Sequence, residues 1–268
     1  MLINNRKVGP SEPPYIIAEL SANHNGSIER AFQSIAAAKE CGASAIKIQT
    51  YEPSTMTIDC DRDDFKIRSG LWAGYTLYEL YSRAYTPFEW HTRLFKYAEA
   101  IGITIFSTPF DESAVELLEG LNAPAYKIAS FELTDLPLIR AVARTGKPLL
   151  ISTGMASFEE VSDAVEAARG AGCTSLLLFH CISSYPAPIS EANLGRITEL
   201  KRRFDTLTGL SDHTIGNTAA IAAIALGSCA IEKHFIIDRR ETGPDSEFSI
   251  EPNELRNLVV QAEETWQA

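Results

Sequence analysis

The sequence is short of the features that mark several large protein classes. Its five cysteines, Cys41, Cys60, Cys173, Cys181 and Cys229, are scattered and odd in number, and none are spaced as CxxC. That argues against a zinc ribbon or a disulfide framework and suits a reducing cytoplasm. Basic residues are in deficit: 24 Lys and Arg against 35 Asp and Glu leave a formal net charge of -11. Nucleic acid and anionic membrane surfaces are therefore not expected partners. The most apolar run, TAAIAAIALGSCAI over 218–231, is shorter than the roughly 20 residues a membrane span requires. It reads as an Ala-rich helix running into a strand. The N-terminal stretch MLINNRKVGPSEPPY is polar and carries prolines, unlike a signal peptide. There is no GxGxxG after the first strand-like run, where AELSANHNGS stands instead, so a dinucleotide site is not expected.

What is present is a repeating alternation. Short runs rich in β-branched residues occur at 15–20, 43–50, 103–108, 125–130, 148–153, 175–181, 206–211 and 229–235. Amphipathic stretches such as IERAFQSIAAAKECG and FEEVSDAVEAARGAG lie between them and end at glycines suited to cap a helix. Eight βα units in 268 residues, 45% of them hydrophobic, predict one domain over 1–268 folded as a (β/α)8 TIM barrel. Residues 51–86 interrupt the second unit. An insertion on a βα loop falls on the catalytic side of such a barrel, as a lid or specificity element.

In a barrel, the carboxyl ends of the strands share one mouth, and the residues predicted there are polar. They are Glu19, Lys47, Gln49, Thr108, Lys127, Ser130, Ser152, Ser183, Ser211, His213, Glu232 and His234. The two-residue strand period sets Lys47 with Gln49, Ser211 with His213, and Glu232 with His234 on common faces. Lysines inside a barrel need anions, from the protein or from a ligand. Lys47 and Lys127 flanked by hydroxyls suit phosphate or carboxylate, with a structural ion pair to Glu19, Glu132 or Glu232 as the lesser alternative. His213 and His234, on the last two strands, make a candidate pair of metal ligands. His24 and His180 are expected behind the site, and His91 on a helix surface. Tyr75, Tyr78, Tyr81 and Tyr85 recur at helical spacing and read as packing. Gly154 reads as a turn or a close backbone approach.

Eight segments in order, AELSANHNG, KIQTY, STPFD, YKIAS.E, KPLLISTGM, SSYPAP, GLSDHT and IEKHF, resemble the catalytic domain of the sialic acid synthases. The likeness runs from about residue 14 to the end. GLWAGYTLYELYSRAYTPFEWH and GPDSEFSIEP are most similar to the pseudaminic acid branch. This resemblance implies condensation of phosphoenolpyruvate with an N-acetylated sugar, for that branch 2,4-diacetamido-2,4,6-trideoxy-L-altrose, with C–O cleavage and loss of phosphate. It implies that His213 and His234 hold a divalent manganese, magnesium or cobalt ion. Phosphoenolpyruvate is assigned to Lys47, Thr108, Lys127, Ser130, Ser152, Ser183 and Ser211, and the sugar to Tyr185 and Asp245. Glu19 acts near the metal as a proton-transfer group.

Trp72, on the insertion, is added as an aromatic face for a 6-deoxy sugar. Ser183 stands where many sialic acid synthases carry Asn. The family's small C-terminal antifreeze-like domain has no counterpart in these residues, and family members pair as homodimers that exchange that domain. The alternatives are a neuraminate or legionaminate synthase, and a barrel that binds these ligands without efficient turnover. A metal-dependent hydrolase would need a third protein ligand that the sequence does not place.

Overall fold

The computed structural model describes all residues 1–268. Eight parallel strands close into a barrel: β1 (Tyr15–Glu19), β2 (Ala45–Thr50), β3 (Thr104–Pro109), β4 (Tyr126–Ile128), β5 (Leu149–Ser152), β6 (Leu176–Cys181), β7 (Leu207–Asp212) and β8 (Ala230–His234). Each neighbours the next, and β8 pairs with β1 to complete the circle, with Glu232 opposite Ile17 and His234 opposite Glu19. The predicted (β/α)8 architecture is the one observed. The fourth strand is shorter than the predicted 125–130, because Ser130–Glu132 turns into a short 3-10 helix.

Eight main helices pack outside: α1 (Ile28–Glu40), α2 (Phe88–Ile101), α3 (Glu112–Gly120), α4 (Leu136–Arg144), α5 (Phe158–Gly170), α6 (Gly195–Phe204), α7 (Thr218–Ala225) and α8 (Pro252–Gln267). Their ends carry sequence-coded caps. The Ser27 side chain accepts from Arg30 N at α1, and Ser157 with Glu160 forms a capping box at α5. Gly102 ends α2 at φ 73, a left-handed conformation that an L side chain resists. None of the helices is long and apolar enough to cross a membrane.

Strand alternation divides the apolar core in two. Outward side chains such as Ile16, Ile46, Ile128, Ile151, Leu178 and Ile231 meet the helices in a cluster of 51 buried residues. Inward ones, including Tyr15, Ile17, Phe106, Leu150, Leu177 and Phe179, fill the barrel with Ile3 and Val8 in a second cluster of 12. Ile3 and Val8 come from an N-terminal hairpin that pairs Leu2–Ile3 with Arg6–Lys7. Phe179 crosses the interior onto Gly209, where a Cβ would stand 2.6 Å from its ring. Apolar residues thus fill most of the lower barrel, and the inward charged residues gather at its carboxyl end.

His91 is not a surface residue. It is fully buried, its Nδ1 donates to Pro87 O at 3.1 Å, and its Nε2 lies 2.8 Å from Thr50 Oγ1. Thr50 in turn contacts Ser107 Oγ at 2.6 Å, so this histidine ties α2 to β2 and β3. The insertion forms two short helices, Pro53–Met56 and Leu77–Ala84, and Tyr81 rests edge-on against buried Tyr51 at 5.8 Å.

Candidate active site

At the barrel mouth a narrow cavity of about 60 Å³ is lined by Glu19, Lys47, Gln49, Thr108, Lys127, Ala129, Ser130, Ser152, Cys181, Tyr185, Ser211, His213, Glu232 and His234. The strands deliver these groups by register: Glu19 lies opposite Lys47, Gln49 opposite Thr108, and Ser211 opposite Glu232. Most of the residues singled out from the sequence converge here, and three do not. Ser183 stands just behind the lining, with Oγ 4.0 Å from Cys181 Sγ. Asp245 is buried behind His234, where its Oδ2 accepts from Ala22 N and lies 3.7 Å from His234 Nδ1. Trp72 borders a larger adjoining cavity of about 710 Å³, together with Tyr75, Arg83, Gly243 and Pro244. Its Nε1 donates to Pro244 O at 2.8 Å, and its ring is 5.7 Å from that of Tyr185. The larger cavity holds no cluster of buried charges, so the smaller one is where chemistry is concentrated.

The two lysines are nearly inaccessible, at 4% and 2% exposure. Lys47 Nζ donates to Thr108 Oγ1 at 3.0 Å and pairs with Glu19 Oε2 at 2.7 Å. Lys127 Nζ donates to Ser152 Oγ at 2.6 Å and to Ile128 O at 3.4 Å. An ammonium has three N–H donors, so each lysine retains one for a ligand. Glu232 Oε1 lies 3.9 Å from Lys47 and 3.8 Å from Lys127, and accepts from Ser211 Oγ at 3.1 Å. At that distance it balances charge without occupying the lysine donors. Glu132, the other carboxylate considered from sequence, bridges neither lysine; burial raises its pKa to about 7.

The two cavity carboxylates are driven in opposite directions. Burial pushes Glu19 up, opposed by Lys47 and assisted by the charge of Glu232. Glu232 resists its own burial because Lys127 and Lys47 hold it below its ordinary range. A pair separated in this way has one group poised to exchange a proton near neutral pH and one suited to stay ionised. Lys47 is held above its usual value, with Glu19 and Glu232 outweighing burial, whereas burial prevails at Lys127 and lowers it.

Burial keeps His213 and His234 below the normal imidazole range, and therefore neutral with a lone pair to give. Their ring centroids are 5.6 Å apart. His213 Nδ1 donates to Ile182 O at 2.9 Å, which leaves Nε2 as its free nitrogen. His234 Nδ1 and Glu232 Oε2 are buried without hydrogen-bond partners. These neutral imidazoles and unpaired atoms fit a divalent cation. No three His, Cys, Asp or Glu side chains are grouped as a ligand set. The protein's share would then be two imidazoles, with water and substrate completing the shell. Such a set suits a hard, hydrated ion better than closed tetrahedral zinc.

Cys181 was not anticipated. Its Sγ lies 3.0 Å from Ser130 Oγ, inside the cavity. The signal was available, because Cys181 follows Phe179 by two residues on β6 and must share its inward face. His180, between them, points outward and its Nε2 donates to Ala192 O at 2.7 Å, away from the cavity. His24 is also remote, edge-on to Trp90 at 5.4 Å.

A TIM barrel whose mouth gathers buried ammonium groups, hydroxyls and paired histidines belongs to the class of barrels built to handle small anionic substrates. The NeuB family model matches residues 34–268, and the chain belongs to that family. It is 47% identical over 248 residues to a pseudaminic acid synthase of Helicobacter pylori, a match covering 92% of this chain and 73% of that protein. Over 266 residues it is 36% identical to an N,N'-diacetyllegionaminic acid synthase of Legionella pneumophila, covering 96% of this chain and 75% of the relative. The crystal structure of an N-acetylneuraminic acid synthetase from Leptospira borgpetersenii, in complex with citrate, superposes with a TM-score of 0.90 at 31% identity. That superposition covers 100% of this chain and 88% of the other.

Proposed function

We propose that the protein is a transferase that condenses phosphoenolpyruvate with an open-chain N-acetylated amino sugar, giving a nonulosonic acid and phosphate. The acceptor in this reading is 2,4-diacetamido-2,4,6-trideoxy-L-altrose and the product pseudaminic acid. The observation that carries it is the pair of buried lysines, each with one N–H left over, in a chain 47% identical to a pseudaminic acid synthase. Phosphoenolpyruvate has two anionic groups, and two spare ammonium donors beside hydroxyls answer them.

Lys47 and Lys127 hold the phosphate and carboxylate, with Thr108, Ser130, Ser152 and Ser211 as hydroxyl partners and Ser183 just behind them. The substrate's C3 forms the new bond to the sugar's aldehyde carbon, water adds at C2, and the tetrahedral carbon collapses with C–O cleavage. Glu19, held up in pKa and only 1% exposed, is the group placed to accept the proton from the attacking water. Tyr185, whose ring centroid is 4.3 Å from that of His213, is a wall for the acceptor. Asp245, assigned to the sugar, stands behind His234 at 3.7 Å from its Nδ1, and Trp72 forms the outer rim of the sugar end. His213 and His234 would hold a manganese, magnesium or cobalt ion. Bound there, it would supply a Lewis acid for the aldehyde oxygen.

Phosphate release should be measured with phosphoenolpyruvate, Mn2+ and three acceptors: the trideoxy-altrose derivative, N-acetylmannosamine and the legionaminate precursor. The highest kcat/KM is expected with the first. Preference for either of the others reassigns the sugar. Binding of phosphoenolpyruvate without release of phosphate from any of them would overturn the enzymatic reading.

A further inference from the structure

Adjacent strand positions face opposite ways, so the residues between the inward groups of β7 and β8 point to the outer face of the barrel. There Asp212 and Lys233, opposite each other in register, form an ion pair at 2.7 Å with both side chains 1% exposed. Their outward neighbours Leu210 and Ile231 belong to the apolar core. A buried ion pair seldom stabilises more than a well-packed apolar pair would, so its presence in this layer calls for another explanation.

Its hydrogen bonds supply one. Asp212 Oδ1 accepts from Thr214 N at 2.9 Å and from Thr214 Oγ1 at 2.8 Å. Lys233 Nζ donates to Asp212 Oδ2 and to Thr214 O, both at 2.7 Å. All four bonds end on the residues immediately before and after His213. From the other side, His213 O accepts from Ala187 N and its Nδ1 donates to Ile182 O, each at 2.9 Å. The imidazole therefore projects from a peptide held on both flanks.

We propose that the Asp212–Lys233 pair is a positioning device for His213: by clamping the Asp212–Thr214 peptide it sets the imidazole for a divalent cation. Asp212, Lys233 and Thr214 are positioning residues that touch neither substrate nor metal. The inference rests on reading His213 as a ligand, and its test separates the two.

The double variant Asp212→Leu/Lys233→Met removes both charges and leaves none unpaired. Thr214→Val removes only the hydroxyl donor. Mn2+ alone is titrated into each by electron paramagnetic resonance, with circular dichroism and thermal melting in parallel and His213→Ala as control. The expected result is a fall in Mn2+ affinity of roughly 10–100-fold in the double variant, typical of groups supporting a ligand, and a smaller fall in Thr214→Val. Melting should stay close to wild type. A folded double variant with wild-type Mn2+ affinity overturns the proposal; if it does not fold, Thr214→Val decides by the same measure. If His213→Ala binds Mn2+ as wild type does, the ligand reading fails, and nitrogen-15 shifts of the His213 ring then test the clamp alone. A single Nδ1–H tautomer that becomes mixed in the variants supports it, and an unchanged ring spectrum overturns it.

Discussion

Gly154 follows β5 at the cavity wall, and replacing it with alanine tests whether the hydroxyls beside it form the anion site. A Cβ at this position would meet Ser183 Oγ, Cys181 Sγ at 2.6 Å and Ser130 Oγ at 2.8 Å. The residue is not among those with positive φ, so alanine strains contacts rather than backbone conformation. Relief requires Ser130 and Ser183 to swing away, and the bond from Gly154 N to Ser130 Oγ, 3.1 Å long, is lost with them. Overpacking of this kind costs about 1–3 kcal/mol, which at ~2–4 °C per kcal/mol lowers Tm by roughly 2–12 °C. Each hydroxyl turned away from a charged phosphate forfeits ~1.5–3 kcal/mol of binding, or roughly 10–100-fold in KM for phosphoenolpyruvate. Steady-state phosphate release with each substrate varied in turn is the assay. The sugar KM should move far less. Gly120→Ala is the control: nothing lies within 4 Å of its Cβ, and in a helix alanine is favoured by up to ~1 kcal/mol. A Gly154→Ala enzyme whose KM for phosphoenolpyruvate stays within about twofold of wild type would refute the reasoning.

Lys47→Ala and Lys127→Ala should each raise the KM for phosphoenolpyruvate by roughly 10–100-fold, and more than that for sugar; equal losses for both substrates would mark the lysines as scaffold. Trp72→Phe keeps an aromatic face but removes the donor to Pro244 O. It should lower kcat/KM by less than Trp72→Asn, which should also narrow the preference for the trideoxy sugar over N-acetylmannosamine; equal proportional losses on all acceptors would make Trp72 packing alone. Burial lowers the pKa of His91 from 6.5 to about 4, so the folded state binds fewer protons than the unfolded one in that window. Its contribution is complete above pH 6.5 and is lost as pH falls towards 4, a change of ~3 kcal/mol. Urea unfolding of wild type and His91→Phe across pH 4–7 measures it, and identical pH slopes would contradict it.

The barrel was legible because strand and helix periods are strong local signals, and each inward strand-end residue follows from counting by twos. Lys47, Thr108, Lys127, Ser152, Ser211 and Glu232 were placed by that rule. It stops where the strands stop. Ser183, Asp245 and Trp72 lie on loops, whose paths depend on contacts with distant segments, and none of them lines the cavity. His91 failed for a related reason: a polar residue in an amphipathic helix reads as exposed until Thr50, Ser107 and Pro87 supply partners. Asp212 and Lys233 are 21 residues apart, and as isolated charges beside histidines they gave no sign of facing each other on the outside of the barrel.

The lysines reach the cavity already matched by Glu19 and Glu232, inside a chain of net charge -11. Seen from a distance the mouth therefore offers an approaching trianion no attraction, and the chain's net negative charge repels it. Capture and retention are governed by different fields. Added salt, with a screening length of about 10 Å at 0.1 M, weakens the repulsion outside but barely reaches donors buried between strands. Encounter should consequently quicken as ionic strength rises while dissociation changes little, the reverse of enzymes that draw anions in with a basic surface.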